Sequence, residues 1–233
     1  MTFELKTGIL DRVDGSAELT IGNTKLIVSV TGPIEAKIKQ ELPTLASLEI
    51  IIRPSIGVSS TREKFIEDKL RSILQDVIIR YKYPRQLIQV VVQFLITDSS
   101  NQQLIGKSGH NFDYTGNELN AAINGSYFAL IDANIEMYSS FASALVSIDE
   151  DQEVIKNPNL TKLIEGKSSH LVCFNIKDGK SSKIMFLESY GDFKQEQLIK
   201  ILDITSKECE FLHNKYQRKF INDKIKQDFI WTC

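Results

Sequence analysis

The segment LIQVVVQFLIT, residues 87–97, restricts the fold of this chain more than any other stretch. It is a nearly continuous run of apolar residues, which is typical of a strand in the interior of a sheet. Candidate neighbours precede it. The runs SAELTIG and TKLIVSVTG are separated by Gly22-Asn23, which predicts a tight hairpin, and LASLEIIIRP predicts a third strand that ends at Pro54. Residues 87–97 are therefore predicted to be a central strand.

Residues in register at three- and four-residue spacing predict three helices. The first follows the capping box Ser60-x-x-Glu63 and ends before Pro84, the second follows Gly116, and the third begins near Lys194. The residues in register are Ile66, Leu70, Ile73 and Val77 in the first helix, Leu119, Ile123, Tyr127 and Leu130 in the second, and Leu198, Leu202, Thr205, Cys209, Leu212 and Tyr216 in the third. We expect the apolar face of the second helix to be buried against a sheet.

The rest of the chain adds strands and one long loop. MYSSFASALVSI, SSHLVCFNI and SSKIMFLES predict strands, the last two of which pair, and the polar stretch Asp98–Thr115 predicts a surface loop. The order strands, helix, strand, helix, strands, helix indicates an α+β fold or a mixed two-layer domain. Because no low-complexity stretch or linker divides the sequence, residues 1–233 are predicted to form a single domain.

Composition narrows the classes of function. The chain has 28 Lys and Arg against 30 Asp and Glu, a net charge of −2, whereas a free-standing nucleic-acid binder is usually basic. The cysteines, Cys173, Cys209 and Cys233, are widely spaced, without a CxxC or CxxH pair that would indicate zinc. We therefore expect a soluble intracellular protein in a reducing compartment, with no membrane span.

Few residues indicate catalysis. His110, His170 and His213 are scattered and have no sequence-local partner that would define a triad. The acidic run Asp149–Glu153 would bind a metal only if further ligands converged on it, so a solvated turn is the favoured interpretation. We therefore predict no catalytic residues, no metal site and no cofactor.

Several motifs occur in the order found in one known family. DGSAELTIGNTKLIVSVTGP resembles the first hairpin of the RNase PH family, STREKFIEDKLRSILQDVI its first long helix, YPRQLIQVVVQFLITD its following strand, AAINGSYFALIDA a later helix and GDFKQEQLIKILDITSKEC its final turn and helix. The resemblance covers nearly the whole chain. It implies the RNase PH-like (ribosomal protein S5 domain 2-like) fold of two pseudo-repeated β–α units. Active family members degrade RNA from the 3′ end by phosphorolysis.

The resemblance also locates the family's active site on this sequence. Active members carry an arginine that binds the attacking phosphate at the position of Leu119, and the adjacent Glu118 has the wrong charge for that role. In VIKNPNLTKLIEGKSSHLVCFN, which matches the family's catalytic carboxylates, the carboxylate is Glu165, and either Ser169 or His170 takes the second position. The resemblance thus implies a non-catalytic subunit. The alternative is an active phosphorolytic 3′-to-5′ exoribonuclease.

Within the family, the sequence looks most like a ring subunit of the eukaryotic RNA exosome. This implies a structural role in RNA processing and decay, including that of rRNA, in the nucleus, nucleolus and cytoplasm. The implied partners are other RNase PH-like ring subunits, RNA-binding cap subunits and RNA in the central channel, and an isolated chain is expected to self-associate. In relatives the loop that carries Arg53, Arg62 and Lys64 lies near the channel, so these cations are candidate RNA contacts. Their spacing alone indicates ordinary surface charge.

Overall fold

The computed structural model describes residues 3–97, 115–149 and 153–227 of the chain. Its strands are β1 Phe3–Thr7, β2 Gly15–Ile21, β3 Thr24–Glu35, β4 Ser47–Arg53, β5 Gln86–Ile96, β6 Ser140–Ile148, β7 Val154–Lys156, β8 Ser168–Lys177 and β9 Lys180–Gly191. Its α-helices are α1 Thr61–Val77, α2 Gly116–Asp132, α3 Leu160–Glu165, α4 Gln195–Leu212 and α5 Arg218–Gln227. The predicted loop Asp98–Thr115 lies outside the described residues, except for Thr115 itself.

The first sheet has the strand order β1-β2-β3-β5-β4. β2 and β3 form the predicted hairpin, in which Ile21 pairs with Thr24 across the Gly22-Asn23 turn. Gly22 has a φ of 58°, a left-handed conformation that glycine adopts without a steric cost. β5 is antiparallel to β3 and parallel to β4. The prediction of an interior strand is therefore confirmed.

α1 begins at the predicted capping box. The Ser60 side chain accepts a hydrogen bond from the Arg62 N–H at 3.3 Å, and the Glu63 carboxylate accepts one from the Ser60 N–H at 2.6 Å. These bonds satisfy backbone donors that have no partner within the helix. The predicted apolar residues of this helix, Ile66, Leu70, Ile73 and Val77, are all buried.

α2 lies between the two sheets and packs against β2 and β3 on one side and β6 on the other. The predicted apolar face is buried, but so is every other residue from 118 to 130. The expectation of burial against one sheet was incomplete, because a helix covered on both sides buries its whole circumference. Gly125 permits the close packing, since a Cβ atom there would lie 2.8 Å from Leu26 Cδ1 and 3.0 Å from Val28 Cγ2.

The second sheet has the strand order β7-β6-β8-β9, and β8 and β9 pair as predicted. Side chains of β6 alternate between its two faces. Phe141 and Leu145 belong to the core that contains α2, whereas Ala142 and Ala144 pack with Cys209 of α4. The layers are therefore the first sheet, α1 with α2, the second sheet, and α4. The α+β class is confirmed, and the two-layer alternative is wrong.

The sequence patterns do not predict β1, β7 or α3. β7 and α3 have three and six residues, too few for a periodic signal. The predicted last helix is interrupted, because α4 ends at Leu212 and a π-helical turn spans His213–Gln217 before α5 begins. Within α4, Ile201 is fully buried, whereas the predicted Leu198 is only half-buried.

Two broader expectations concern the whole chain. None of the helices in the described ranges is long and apolar enough to cross a membrane. The main hydrophobic core contains residues of both sheets, among them Leu19 of β2 and Leu171 of β8. The single domain expected over residues 1–233 includes ranges beyond those described and stays a prediction.

Candidate functional site

The candidate site lies at the start of α2, beside the beginning of α1 and the ends of β8 and β9. The first turn of α2 is regular, because the Leu119 N–H donates to the Thr115 carbonyl oxygen at 2.9 Å. The Leu119 side chain is fully buried and belongs to the main hydrophobic core. The position that the resemblance assigns to a phosphate-binding arginine is therefore a packing position in this chain.

Apolar side chains fill the space next to this helix start. A cavity of about 10 Å³ remains there, and its lining residues are Gly116, Leu145, Leu163, Ser169, Leu171, Glu188 and Tyr190. A space of this size holds about one water molecule, and a phosphate ion is several times larger. The three leucines come from β6, α3 and β8, so three separate elements close the site.

Two ion pairs connect α1 to the elements around the cavity. Arg62 Nη2 of α1 lies 2.7 Å from Glu118 Oε2 in the first turn of α2. Lys69, two turns further along α1, pairs with Glu188 of β9, which also accepts a hydrogen bond from the Tyr190 hydroxyl. Burial lowers the pKa of Lys69, and the Glu188 carboxylate opposes this shift. Both cations of α1 that face the site are thus neutralised by carboxylates of the same chain.

The structure separates the three predicted RNA contacts. Arg62 is 20% exposed and pairs with Glu118, whereas Arg53 is exposed at the end of β4. Lys64 is 66% exposed, and its Nζ lies 2.5 Å from Glu67 Oε2. The buried Glu67 also accepts a hydrogen bond from the Ile52 N–H of β4 at 2.9 Å. Arg53 and Lys64 remain accessible to a ligand, while Arg62 is largely committed to a contact within the chain.

The residues that the resemblance aligned with catalytic carboxylates do not converge. Glu165 is exposed at the end of α3, and Ser169 lines the small cavity. His170 is buried, with its ring nitrogens 2.8 Å from Ser189 Oγ and 3.0 Å from Ser168 Oγ. Burial lowers the pKa of His170 to about 4, so the ring is neutral at physiological pH. A neutral imidazole of this kind is not an effective general acid for a leaving oxygen, because its remaining N–H is only very weakly acidic.

Within the described ranges, no group of three or more His, Cys, Asp or Glu side chains converges in a way that could hold a metal ion. The acidic run Asp149–Glu153 is partly outside those ranges. Its described ends are joined by a hydrogen bond from the Asp149 N–H to the Glu153 carbonyl oxygen at 3.1 Å, as expected for a turn between β6 and β7.

Sequence reasoning missed Lys69, Glu188 and Tyr190. Lys69 and Glu188 are 119 positions apart, so no local pattern joins them. The sequence gives one signal for this contact, because Lys69 lies next to the buried Leu70 within the apolar periodicity of α1. The signal is weak, since a lysine at such a position is equally typical of the solvent-exposed face of a helix. Their pairing depends on how the second sheet lies beside α1.

Residues 2–136 match the sequence profile described as "3′ exoribonuclease family, domain 1". The chain is also 40% identical to the Exosome complex component RRP46 of Saccharomyces cerevisiae, over 99% of this chain and 100% of that protein. This chain belongs to the RNase PH family. The Exosome complex component rrp46 of Schizosaccharomyces pombe is 30% identical, over 90% of this chain and 85% of the relative.

A solved structure supports the fold. The crystal structure of rice (Oryza sativa) Rrp46 matches with a TM-score of 0.73 and 24% sequence identity, and the match covers 87% of this chain and 86% of that one. The predicted RNase PH-like fold of two β–α units is confirmed, and each unit combines one sheet with its helices.

The Asp14-Gly15-Ser16 motif of this RNase PH-family chain has a structural role. The Asp14 carboxylate accepts a hydrogen bond from the Gly32 N–H at 2.8 Å, and the Ser16 N–H donates to Asp132 at the end of α2 at 3.0 Å. A Cβ atom at Gly15 would lie 2.3 Å from the Ala133 backbone nitrogen. The motif therefore fixes β2 against the end of α2, at the opposite end of this helix from the candidate site.

Proposed function

We propose that this chain is a non-catalytic structural subunit of an RNA exosome ring, which supports 3′-to-5′ RNA processing and decay, including that of rRNA. The observation that carries the ring assignment is the end-to-end match, at 40% identity, to a protein named Exosome complex component RRP46. A second relative of the same name, at 30% identity, supports it. The partners are other RNase PH-like ring subunits and RNA-binding cap subunits, in the nucleus, nucleolus and cytoplasm.

The packing at the start of α2 supports the lack of catalysis. Phosphorolysis requires bound inorganic phosphate, and here Leu119 is in the core and the adjacent cavity measures about 10 Å³. The cations that face the site, Arg62 and Lys69, already have carboxylate partners. Bringing in a phosphate ion would require breaking both ion pairs and displacing leucine side chains.

Exposed apolar side chains support the assembly into a ring. Ile38 and Val58 are each 92% exposed and Ile56 is 76% exposed, all on loops that flank β4. A chain that occupies one place in a hetero-oligomeric ring buries a different surface against each neighbour. Without those neighbours such side chains promote the self-association that we propose for the isolated chain.

We propose that Arg53 and Lys64 contact the phosphate backbone of RNA in the ring channel. Arg62 contributes less, because its guanidinium is paired with Glu118. Removing each phosphate contact should lower the salt dependence of RNA binding by about 0.7 for single strands, for every RNA sequence alike. An assembled ring with Arg53→Gln and Lys64→Gln should protect a shorter length of RNA from nuclease, or a smaller fraction of the RNA molecules. Protection equal to that of the wild-type ring at several salt concentrations would contradict these contacts.

Affinity purification of the tagged chain from its own cells tests the ring assignment. Identification of the bound chains should yield other RNase PH-like proteins and RNA-binding proteins in stoichiometric amounts. A matched sample with Ile56→Asp and Val58→Asp should lose ring neighbours while the fold, measured by circular dichroism, is retained. Recovery of the chain without RNase PH-like partners would refute the assignment.

A phosphorolysis assay separates the proposal from its rival, an active exoribonuclease. The purified chain and the assembled ring are incubated with 3′-labelled RNA and inorganic phosphate, and nucleoside diphosphates are measured. We expect no release that depends on this chain. The active alternative would be established by phosphate-dependent release of nucleoside diphosphates from the wild type that is lost in Glu188→Ala, or in Gly116→Leu, which fills the cavity.

A further inference from the structure

The surface next to the β8–β9 turn carries a dense group of cations, here called the C-terminal basic patch. All of its members are exposed side chains of the β8–β9 hairpin or of the helical segment that follows α4: Lys177, Lys180, Lys183, Lys215, Arg218 and Lys219. The chain as a whole has a net charge of −2, so this surface differs in sign from the protein average. None of its members belongs to the start of α2, to the end of β4 that carries Arg53 or to the start of α1 that carries Lys64.

The hairpin and the helical segment form one continuous surface. A Cβ atom at Gly179, in the β8–β9 turn, would lie 3.2 Å from Asn214 Oδ1 and 3.9 Å from Arg218 Nη1. Ser181 extends the contact, because its N–H and its hydroxyl both bond to Glu210 of α4, at 2.9 Å and 3.0 Å. These contacts hold the β8–β9 turn, with Lys177 and Lys180 at its two ends, next to Arg218.

The arrangement of charge within the patch is locally unfavourable. Lys177 pairs directly with Lys180 across the hairpin, and like charges in that relation destabilise a sheet. Lys215, Arg218 and Lys219 follow at spacings that place them on one side of a helical segment, where like charges also repel. Among the described residues, none of the six cations forms an ion pair with a carboxylate. A polyanion bound to the patch would relieve this repulsion.

Three acidic residues lie near these cations and do not neutralise the patch. Asp178 is in the turn between Lys177 and Lys180, with a φ of 53°. Glu210 is occupied by its hydrogen bonds to Ser181. Asp223 is exposed on α5, four residues after Lys219. Six cations against these three carboxylates leave an excess of three positive charges.

An exposed aromatic ring lies beside these cations. Phe211, near the end of α4, is 51% exposed, and Lys215 Nζ is 5.0 Å from its ring centroid. Cations that follow a phosphate backbone, combined with an aromatic face on which a base can stack, are the features by which proteins bind single-stranded nucleic acid. An acidic peptide would bind to the cations but would gain little from the aromatic side chain of Phe211.

We propose that the C-terminal basic patch binds single-stranded RNA, with backbone phosphates on its cations and a base stacked on Phe211. The choice of RNA over another single-stranded polyanion rests on the proposed function. The binding itself does not require ring assembly. Because the contacts are mainly electrostatic, binding by the isolated chain is weak and strongly dependent on salt.

Fluorescence anisotropy with the full chain and a labelled uridine oligonucleotide tests the proposal. The variant Lys180→Gln, Lys215→Gln, Arg218→Gln should bind on the order of tenfold more weakly at low salt, and its logarithmic salt slope should fall by about 2, since each single-strand phosphate contact accounts for about 0.7. The matched control Lys162→Gln, Lys167→Gln, Lys200→Gln removes the same charge from exposed positions elsewhere and should bind like the wild type. Circular dichroism confirms that each variant is folded.

A second variant tests the aromatic contact separately from charge. Phe211→Leu keeps an apolar side chain, so it should weaken binding about fivefold or more without changing the salt slope. Equal binding by the patch variant and the control variant would overturn the proposal. Displacement of the RNA by polyglutamate at equal charge concentration would also overturn it, in favour of an acidic peptide.

The proposed function and this inference can fail independently. If the patch variant still assembles with RNase PH-like partners but binds RNA as the wild type does, the patch is not an RNA site and the ring assignment stands. If the chain does not assemble and yet binds RNA through the patch, the ring assignment fails and the patch remains.

Discussion

The ion pair between Arg62 and Glu118 is expected to stabilise the fold, and a double-mutant cycle measures its contribution. Arg62 Nη2 lies 2.7 Å from Glu118 Oε2, and the two side chains are 20% and 5% exposed. Unit charges about 4 Å apart attract by about 4 kcal/mol at an effective dielectric constant of about 20. Fully exposed pairs contribute only about 0.2–1 kcal/mol. Because Arg62 has partial access to solvent, we expect a coupling free energy of about 1–2 kcal/mol.

The two single substitutions should differ in cost. Arg62→Gln leaves a nearly inaccessible Glu118 carboxylate without its cation, and this should lower the free energy of unfolding by about 2–3 kcal/mol. Glu118→Gln leaves Arg62, which is more exposed and still lies 3.6 Å from Glu63. That change should cost about 1 kcal/mol.

Urea unfolding followed by far-UV circular dichroism gives all four free energies of the cycle. Arg53→Gln, which removes the same charge from an exposed position, serves as the control and should change stability by less than about 0.5 kcal/mol. If the two substitutions are additive within about 0.3 kcal/mol, Arg62 is an ordinary surface cation, and the reasoning that the pair closes the site is refuted. Arg62 would then be as available to RNA as Arg53.

Three further predictions follow from buried residues. Leu119→Arg should give no phosphate-dependent release of nucleoside diphosphates and should lower the free energy of unfolding by more than about 3 kcal/mol, because a guanidinium would enter the core; release above the wild-type level would contradict this. Leu130→Ala should cost about 2–5 kcal/mol in the same unfolding experiment, and a cost below about 1 kcal/mol would show that the site is not tightly packed. The pKa of His170 is about 4 in the folded protein, against an ordinary value of 6.5. Between these pH values the unfolded state binds the proton more strongly, so the free energy of unfolding decreases as the pH is lowered from 6.5 towards 4. The wild type should lose about 1–2 kcal/mol between pH 6.5 and pH 5 relative to His170→Gln, and parallel pH profiles of the two proteins would exclude this linkage.

Local sequence signals account for much of the fold. The Gly22-Asn23 turn, the Ser60 capping box and the apolar run in β5 each depend on residues within a few positions of one another, and all three are present in the structure. Such patterns do not say what covers an element. The sequence of α2 carries one stripe of large apolar residues and so predicts one buried face. Small residues such as Gly125 and Ala129 let β2 and β3 of the first sheet approach the helix as well, so that it is covered on both sides.

The candidate site was predictable in part. The resemblance identified Leu119 and Glu118 as residues unsuited to phosphate, and the structure adds that one is in the core and the other is paired with Arg62. Nothing in the sequence joins Lys69 to Glu188, because the contact spans 119 positions and depends on the packing of both units. Buried charges of this kind can be assigned only when their partners are known.

At the start of α2, the counter-charges of the partly buried cations come from the chain itself. Arg62 and Lys69 are partly or largely removed from solvent, and cations in that environment need a counter-charge. In a phosphate-binding enzyme part of that counter-charge is the substrate, so the empty site retains a free-energy cost. In this chain Glu118 and Glu188 provide it permanently, and each joins α1 to an element of the other side of the site. These two ion pairs therefore join α1 to α2 and to β9, so the charges that face the site also contribute to the packing of these elements.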